Sequence, residues 1–407
     1  MQYIPPDNTQ PGFTDLPIDL GALQIVVYPY KYAFAGNPMI FGITSNSQDE
    51  IIVGVKVGDG DIFYFSLVPY GTVAPYRATI DICGFVRNRL DGYALAGDGF
   101  VFPVDNFSTG YSVYVNGGLA FSGIAFRGGI SKSLALQLAA ENFKNIFDFR
   151  LLKFTRQFIF TTRTHGNIIR IRDTELSPFM FIHPGRAISF VSGSGSVINT
   201  PAMTKGAVCA MNLEAIYNRF LEMGESPSMI KVSCISGYAS FTFAIQPGVI
   251  AEERYLLRFL NSLGAFELVE VTGYACNTPS FSEENKWESM NVLGFFEENR
   301  ERVSSVKAFE VEAGYKIKKE LDFICDMIQS EEIYFIRPDG YTCRCLVTAE
   351  NIRYRHRIVA PSSVLLKIRE IAGSVYASPD EPALPDLLVT EHHKDCITTE
   401  DKFNLKI

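Results

Sequence analysis

The sequence predicts a mainly β fold with α+β modules: serial β-sandwich or barrel domains, each later one carrying a packed helix. Three observations lead there. From residue 22 onward, short runs rich in Val, Ile, Phe and Tyr alternate apolar with polar side chains. Turn signals built on Gly and Asn separate these runs. Apolar spacing of three and four residues interrupts them only in isolated segments. At 407 residues the chain is long for one core, which favours two or three domains.

In chain order, residues 1–21 read as an N-terminal extension and 22–130 as a β-sandwich. The clearest hairpin there is "IIVGVKVGDGDIFYFSLV", Ile51 to Val68, turning at Gly58 to Asp61 because Gly accepts positive φ. A second hairpin turns at "NGG", Asn116 to Gly118. "SKSLALQLAAENFKNIFDF" breaks the pattern, so 131–150 reads as a connector. Strands resume in a β-rich domain over 151–275, with hairpin arms "FIFTTR" and "NIIRIR" and a short helix at Leu213 to Glu222. An α+β module follows over 276–376 with a helix at 315–330, and an extended, Pro- and acid-rich tail covers 377–407.

Two segments share one order. In "RYLLRFLNSLGAFELVEV", Tyr255, Leu256, Phe259, Leu260 and Leu263 predict an amphipathic helix capped by Gly264, followed by a strand. In "KELDFICDMIQSEEIYFI", Leu321, Ile324, Cys325 and Ile328 mark a comparable stripe before another strand. The shared order suggests an internal duplication, and both units read as packing elements.

Composition narrows function. The net charge of −8 argues against general nucleic-acid affinity. No run of apolar residues is long enough for a membrane helix, and the N-terminus lacks the basic start and apolar stretch of a secretory signal. The eight cysteines are scattered without a CxxC pair, which favours buried thiols over disulfides or a metal knuckle. Of only five histidines, His165, His183 and His356 have no carboxylate or thiol at ligand spacing, and His392, His393 and Cys396 could grip a soft metal but lie on an extended tail that is not a preformed site, so no metal site is expected.

The remaining motifs are weak. "GDGD" lacks the further ligands of a calcium loop, and "SGSGSV", Ser192 to Val197, lacks the lysine of a phosphate loop. "SMIK", Ser228 to Lys231, has the form of a serine acyl-enzyme motif without its companions. No catalytic residue and no cofactor is therefore assigned. The candidate surface is "NIRYRHRI", where Arg353, Arg355 and Arg357 share one strand face, interleaved with Tyr354; it reads as a protein interface or a charge-guarded edge strand.

"YKYAFAGNPMIFGI", "AFRGGISKSLA", "FIFTTRTHGNIIRIRDTELSPFMFI", "RYLLRFLNSLGAFELVEV" and "GYKIKKELDFICDMIQSEEIYFI" together resemble, in this order, uncharacterised structural, tail-associated proteins of Bacteroidetes prophages and phages. The resemblance implies a non-enzymatic virion or tail-like particle component, made in the bacterial cytoplasm, that contacts other structural proteins and itself as a homo-oligomer. It carries over no site residue, and the charge and hydropathy lead to no expectation of a nucleic-acid or membrane partner. The alternative reading is an adhesin-like or carbohydrate-binding surface module, supported by the abundant Tyr and Phe. A glycan hydrolase is the third, since carboxylate pairs form from distant parts of a fold.

Overall fold

The computed structural model describes residues 17–29, 32–90, 97, 99–105, 107–131, 159–165, 168–204, 207–234, 241–248, 254–277, 280–281, 286–300, 305–316, 318–338, 340–349, 352, 362–371, 387–389 and 396–398. The expected connector at 131–150 falls almost wholly outside them. The chain divides into two compact units, Met1–Cys276 with Glu310–Ile368, and Asn277–Phe309 with Arg369–Ile407.

The first unit opens with β1 (Ile18–Asp19), β2 (Leu23–Val27), β3 (Tyr32–Phe34), β4 (Ile40–Ser45), β5 (Ile51–Val57), β6 (Ile62–Leu67), β7 (Tyr76–Asp81), helix α1 (Cys83–Arg87), β8 (Val101–Pro103), β9 (Ser108–Val115) and β10 (Gly118–Phe126). Sheets ordered β1-β2-β4-β7 and β3-β10-β9-β5-β6 share one core, Ile25, Phe41 and Ile43 meeting Val53, Val55 and Val113. This is the expected sandwich, and both hairpins expected within it are present. The pairing expected between "FIFTTR" and "NIIRIR" is not seen among the described residues: Ile159 bridges Phe181 and the Phe160 amide donates to Met180 O at 2.9 Å, while Ile168 and Ile169 pair only with His165 and Thr164 on that side. Asn116 and Gly117 take φ of 49° and 83°, the backbone of a tight two-residue turn that matches strand twist. Strand β8 stands apart from these two sheets.

Next come β11 (Thr164–His165), β12 (Ile168–Arg172), β13 (Pro178–Ile182), β14 (Ile188–Ser192), β15 (Val197–Thr200), β16 (Val208–Asn212), helix α2 (Leu213–Glu222), β17 (Met229–Cys234) and β18 (Phe241–Gln246). The six-stranded sheet β11-β12-β18-β17-β14-β15 faces the three-stranded β13-β16-β8, so β8 pairs with a strand more than a hundred residues later. Helix α2 starts where expected because Asn212 accepts the Ala215 amide at 3.1 Å. It buries Leu213, Ile216 and Phe220 in the core between these sheets.

The chain then forms β19 (Tyr255–Leu260) and β20 (Phe266–Asn277). The second unit holds β21 (Ser280–Phe281), β22 (Lys286–Met290), β23 (Phe296–Arg300) and β24 (Ser305–Val306), paired as β21-β24 and β22-β23. After β25 (Ala308–Lys316) come helix α3 (Lys318–Ile328), β26 (Ile333–Ile336), β27 (Thr342–Ala349) and β28 (Ser362–Glu370). Within the tail, β29 (Leu387–Val389) and β30 (Cys396–Thr398) form an antiparallel pair. Strands β19-β20-β25-β28-β27-β26 close into a barrel. Helix α3, expected from its stripe, buries Leu321, Phe323, Ile324 and Met327, and the Phe323 ring sits 5.2 Å from that of Phe259.

The helix expected over Arg254 to Gly264 is not there. This segment is β19 and a turn. Leu257, outside the predicted stripe, is fully buried, whereas Leu256 and Leu260 are only half-buried. The physical reason is non-local: β19 gains ladders on both sides, to β20 and to β26, and its period-two residues Leu257 and Phe259 fill the barrel. The two supposedly duplicated segments are therefore different structures that adjoin, with Leu256 opposite Ile336.

A third core joins these modules. Phe34, Phe107 and Phe126 from the sandwich meet Phe160, Met180 and Val208, together with Leu263 and Ala265 from the β19–β20 turn. The Phe107 and Phe160 rings lie edge to face at 4.6 Å.

Candidate functional site

The most concentrated chemistry among the described residues is a buried charge network where β12 and the turn after it meet the barrel. Strand β20 carries one carboxylate on each face. Glu267 lies with inward Val269 and Val271, and Glu270, three residues on, projects to the other side. Both are almost wholly buried.

Glu267 accepts from Asn261 Nδ2 at 2.6 Å, Thr161 Oγ1 at 2.9 Å and the Thr162 amide at 3.2 Å, and pairs with Arg163 Nε at 3.2 Å. Arg163 also donates to Glu175 at 2.6 Å and lies 4.2 Å over the Phe323 ring. Glu175 further accepts the Arg172 amide at 3.0 Å and the Glu270 amide at 2.7 Å. Glu270 is bonded by Arg172 and Thr174, with Arg254 at 3.6 Å.

Every oxygen of the three glutamates thus has a donor, and the donors come from both sides of the junction. Burial pushes the Glu267 carboxyl above its ordinary range, opposed by Arg163 and the hydrogen bonds. Because Arg163 divides its charge between Glu267 and Glu175, it offsets that burial only in part. A network bonded this densely fixes geometry.

Beside it opens a cleft of about 470 Å³, bounded by Gly36, Arg127, Gly129, Ser262, Asp322 and Asp326 among others. Most of its charges are engaged. Arg87 pairs with Glu331, Arg127 lies 3.8 Å from Glu332, and Asp326 accepts Thr162 Oγ1 at 2.8 Å and the Ser262 amide at 3.1 Å. Burial raises the Asp326 carboxyl.

The other singled-out residues play structural parts. "SGSGSV" is the β14–β15 turn, as expected, and Ser192 and Ser196 donate to Glu225, holding its carboxyl below the usual range. Ser228 to Lys231 runs into β17. His183 is buried, accepts the Gly185 amide at Nδ1 over 3.1 Å, and is pushed toward its neutral form by burial. Cys209 is a buried thiol raised to about 11 by desolvation. No cluster of His, Cys, Asp and Glu suited to a metal occurs among the described residues. Arg353, Tyr354, Arg355 and Arg357 lie outside the described residues.

The least expected surface lies in the second unit. Hairpin β22–β23 is exposed along β22, and its turn presents Val292 at 104% and Leu293 at 81% exposure, flanked by exposed Met290, Phe295, Phe296 and the sole tryptophan, Trp287. The tip is organised by Asn291, whose side-chain oxygen accepts the Leu293 and Phe295 amides at 3.0 Å each, while its backbone N–H donates to Phe295 O at 2.8 Å. Gly294, at φ 85°, completes the turn. Turn apices ordinarily carry Gly, Asn, Asp or Ser; "MNVLGFF" carries apolar bulk, and that mismatch was the available sequence signal.

No protein-family model matches the chain, and no curated protein matches it. No helix among the described residues is long and apolar enough to cross a membrane.

Proposed function

We propose that the chain is a non-enzymatic structural or assembly protein that works through protein–protein contacts, as a tail-associated component of a phage or tail-like particle. The observation that carries this reading is the apolar hairpin tip. Six large apolar side chains exposed within ten residues exceed what monomers ordinarily leave in water, and burying them against a neighbouring subunit releases that cost. A two-stranded hairpin is marginal on its own, so a partner that covers it also stabilises it. The densely bonded glutamate network supports a structural reading of the most buried charges.

The test is co-sedimentation. Tagged chain, expressed in the strain that encodes it, is expected in the particle fraction. A Val292→Ser, Leu293→Ser, Phe295→Ser variant is expected to fold normally and stay in the supernatant. Wild-type chain that never enters a particle, or a triple variant that enters as well as wild type, sinks the reading.

A further inference from the structure

We infer that two copies of the chain join through strand β6, edge to edge, into one continuous ten-stranded sheet. This rests on the assembly reading above and names one partner within it: a second copy. Strand β6 ends the five-stranded sheet and pairs only with β5 among the described residues, so its outer side offers unpaired backbone donors and acceptors. Natural edges are guarded by charge, proline or a bulge. "IFYFSL" has neither charge nor proline, and its ladder to β5 runs without a register shift.

The strand suits its own copy. A twofold axis perpendicular to the sheet keeps each face on its own side, which requires residues of like parity to meet. Centred on Tyr64, this register sets Tyr64 opposite Tyr64, Phe63 opposite Phe65 and Ile62 opposite Ser66. Aromatic pairs on directly opposed positions stabilise antiparallel ladders. On the inner face, Phe63 and Phe65 already pack on Phe85, at 5.9 and 4.8 Å between centroids, yet Phe63 remains 43% exposed. The partner's Phe65 extends that cluster over it.

On the outer face Gly54 leaves room for Ile62 and Tyr64, whose side chains a Cβ would press at 2.9 and 3.2 Å. Of the charges next to the strand, Lys56 lies opposite Ile62 on the β5 side, Glu50 is taken up by Ser66 Oγ, and Asp61 is held from its symmetry mate by the full ladder, about 20 Å. Past the strand, Val68, Tyr70 and Val73 are also exposed and add apolar surface toward the area a stable dimer needs.

The register is testable by charge exchange at the pivot. Full-length wild type, 45.4 kDa, is expected to double in mass by sedimentation between about 1 and 100 µM. Tyr64→Lys and Tyr64→Glu, each placing like charges face to face, are expected to weaken association about tenfold or more, and an equimolar mixture to restore it. Tyr64 is 65% exposed, so at dilutions where wild type is itself monomeric both variants should match its fold and melting temperature. Wild type that stays monomeric throughout, or a mixture no stronger than its components, overturns the inference. Particle entry that depends on the hairpin tip while β6 association is absent leaves the assembly reading standing and removes only this one.

Discussion

Gly128 and Gly264 meet backbone to backbone, both at positive φ, 88° and 90°. They bring the end of β10 onto the turn between β19 and β20, where the Gly129 amide donates to Ser262 O at 2.7 Å. A Cβ on Gly264 would stand 2.6 Å from the Arg127 carbonyl carbon, and one on Gly128 would run into the Leu263 backbone. Neither obstacle is a side chain that can swing away.

Gly264→Ala and Gly128→Ala should therefore each destabilise by about 2–5 kcal/mol, combining ~1–2 for a left-handed backbone with ~1–3 for overpacking. Gly110→Ala, with open space around its Cβ and no positive φ, is the control and should be near neutral. Urea unfolding midpoints decide the matter; equal midpoints for all three would refute the role of the contact.

Arg163 is the second point of failure. Its loss strands Glu175 and Glu267, both 3% exposed in their side chains, without their cation. Arg163→Met should cost about 3–5 kcal/mol, the range for breaking a buried pair. Adding Glu267→Gln should recover part of that loss, because the second change removes an uncompensated charge. A double variant no more stable than Arg163→Met would show that Glu267 is not the charge left stranded.

Much of this arrangement was legible in the sequence where local signals agreed. The β5–β6 and β9–β10 hairpins had strand runs and a turn pointing one way, and α3 had a helical stripe. The Arg254 to Gly264 segment was misread because Tyr255, Leu256, Phe259, Leu260 and Leu263 satisfy a helical stripe, while Leu257 and Phe259 satisfy a strand. Barrel closure, invisible locally, decides between them. Asn261, read as helix interior, is the turn's organiser: its Oδ1 accepts the Ala265 amide at 2.9 Å and its Nδ2 donates to Phe160 O at 3.0 Å. The glutamate network had only a faint signal, two acids inside "FELVEV", because its partners lie about a hundred residues away.

Phe259 should be among the costliest single truncations in the barrel. It is fully buried, packs on Phe323 of α3, and belongs to a strand laddered on both sides. Phe259→Ala should cost about 3–5 kcal/mol, whereas Leu260→Ala, half-buried, should cost distinctly less. Helical packing of this segment would have made the two comparable, so the ratio measured by denaturant titration separates strand from helix.

Exposure makes the opposite prediction at the hairpin tip. Val292→Ser with Leu293→Ser removes no buried contact, so stability should change by less than about 0.5 kcal/mol. Binding of a hydrophobic dye to the folded protein should fall and solubility should rise. A large drop in melting temperature would mean that the tip is packed within the chain.

Asp326 supplies a pH dependence of unusual sign. Burial raises its carboxyl pKa in the folded state above the ordinary value of 3.8, so between these two values the folded chain holds a proton that the unfolded chain has released. Stability contributed by this group is complete below the unfolded pKa and declines as pH rises through the window to the raised folded value. Most carboxylates act the other way: Glu225, held low by serine hydroxyls, adds stability that disappears as pH falls through its folded pKa. Asp326→Asn cannot titrate but keeps an oxygen for Thr162 and Ser262. The stability of wild type minus that of Asp326→Asn should fall as pH is raised from about 4 toward neutrality. Urea midpoints collected for both proteins across that range give the slope directly, and a difference that grows with pH would show the Asp326 carboxylate to be stabilised by its donors more than it is penalised by burial.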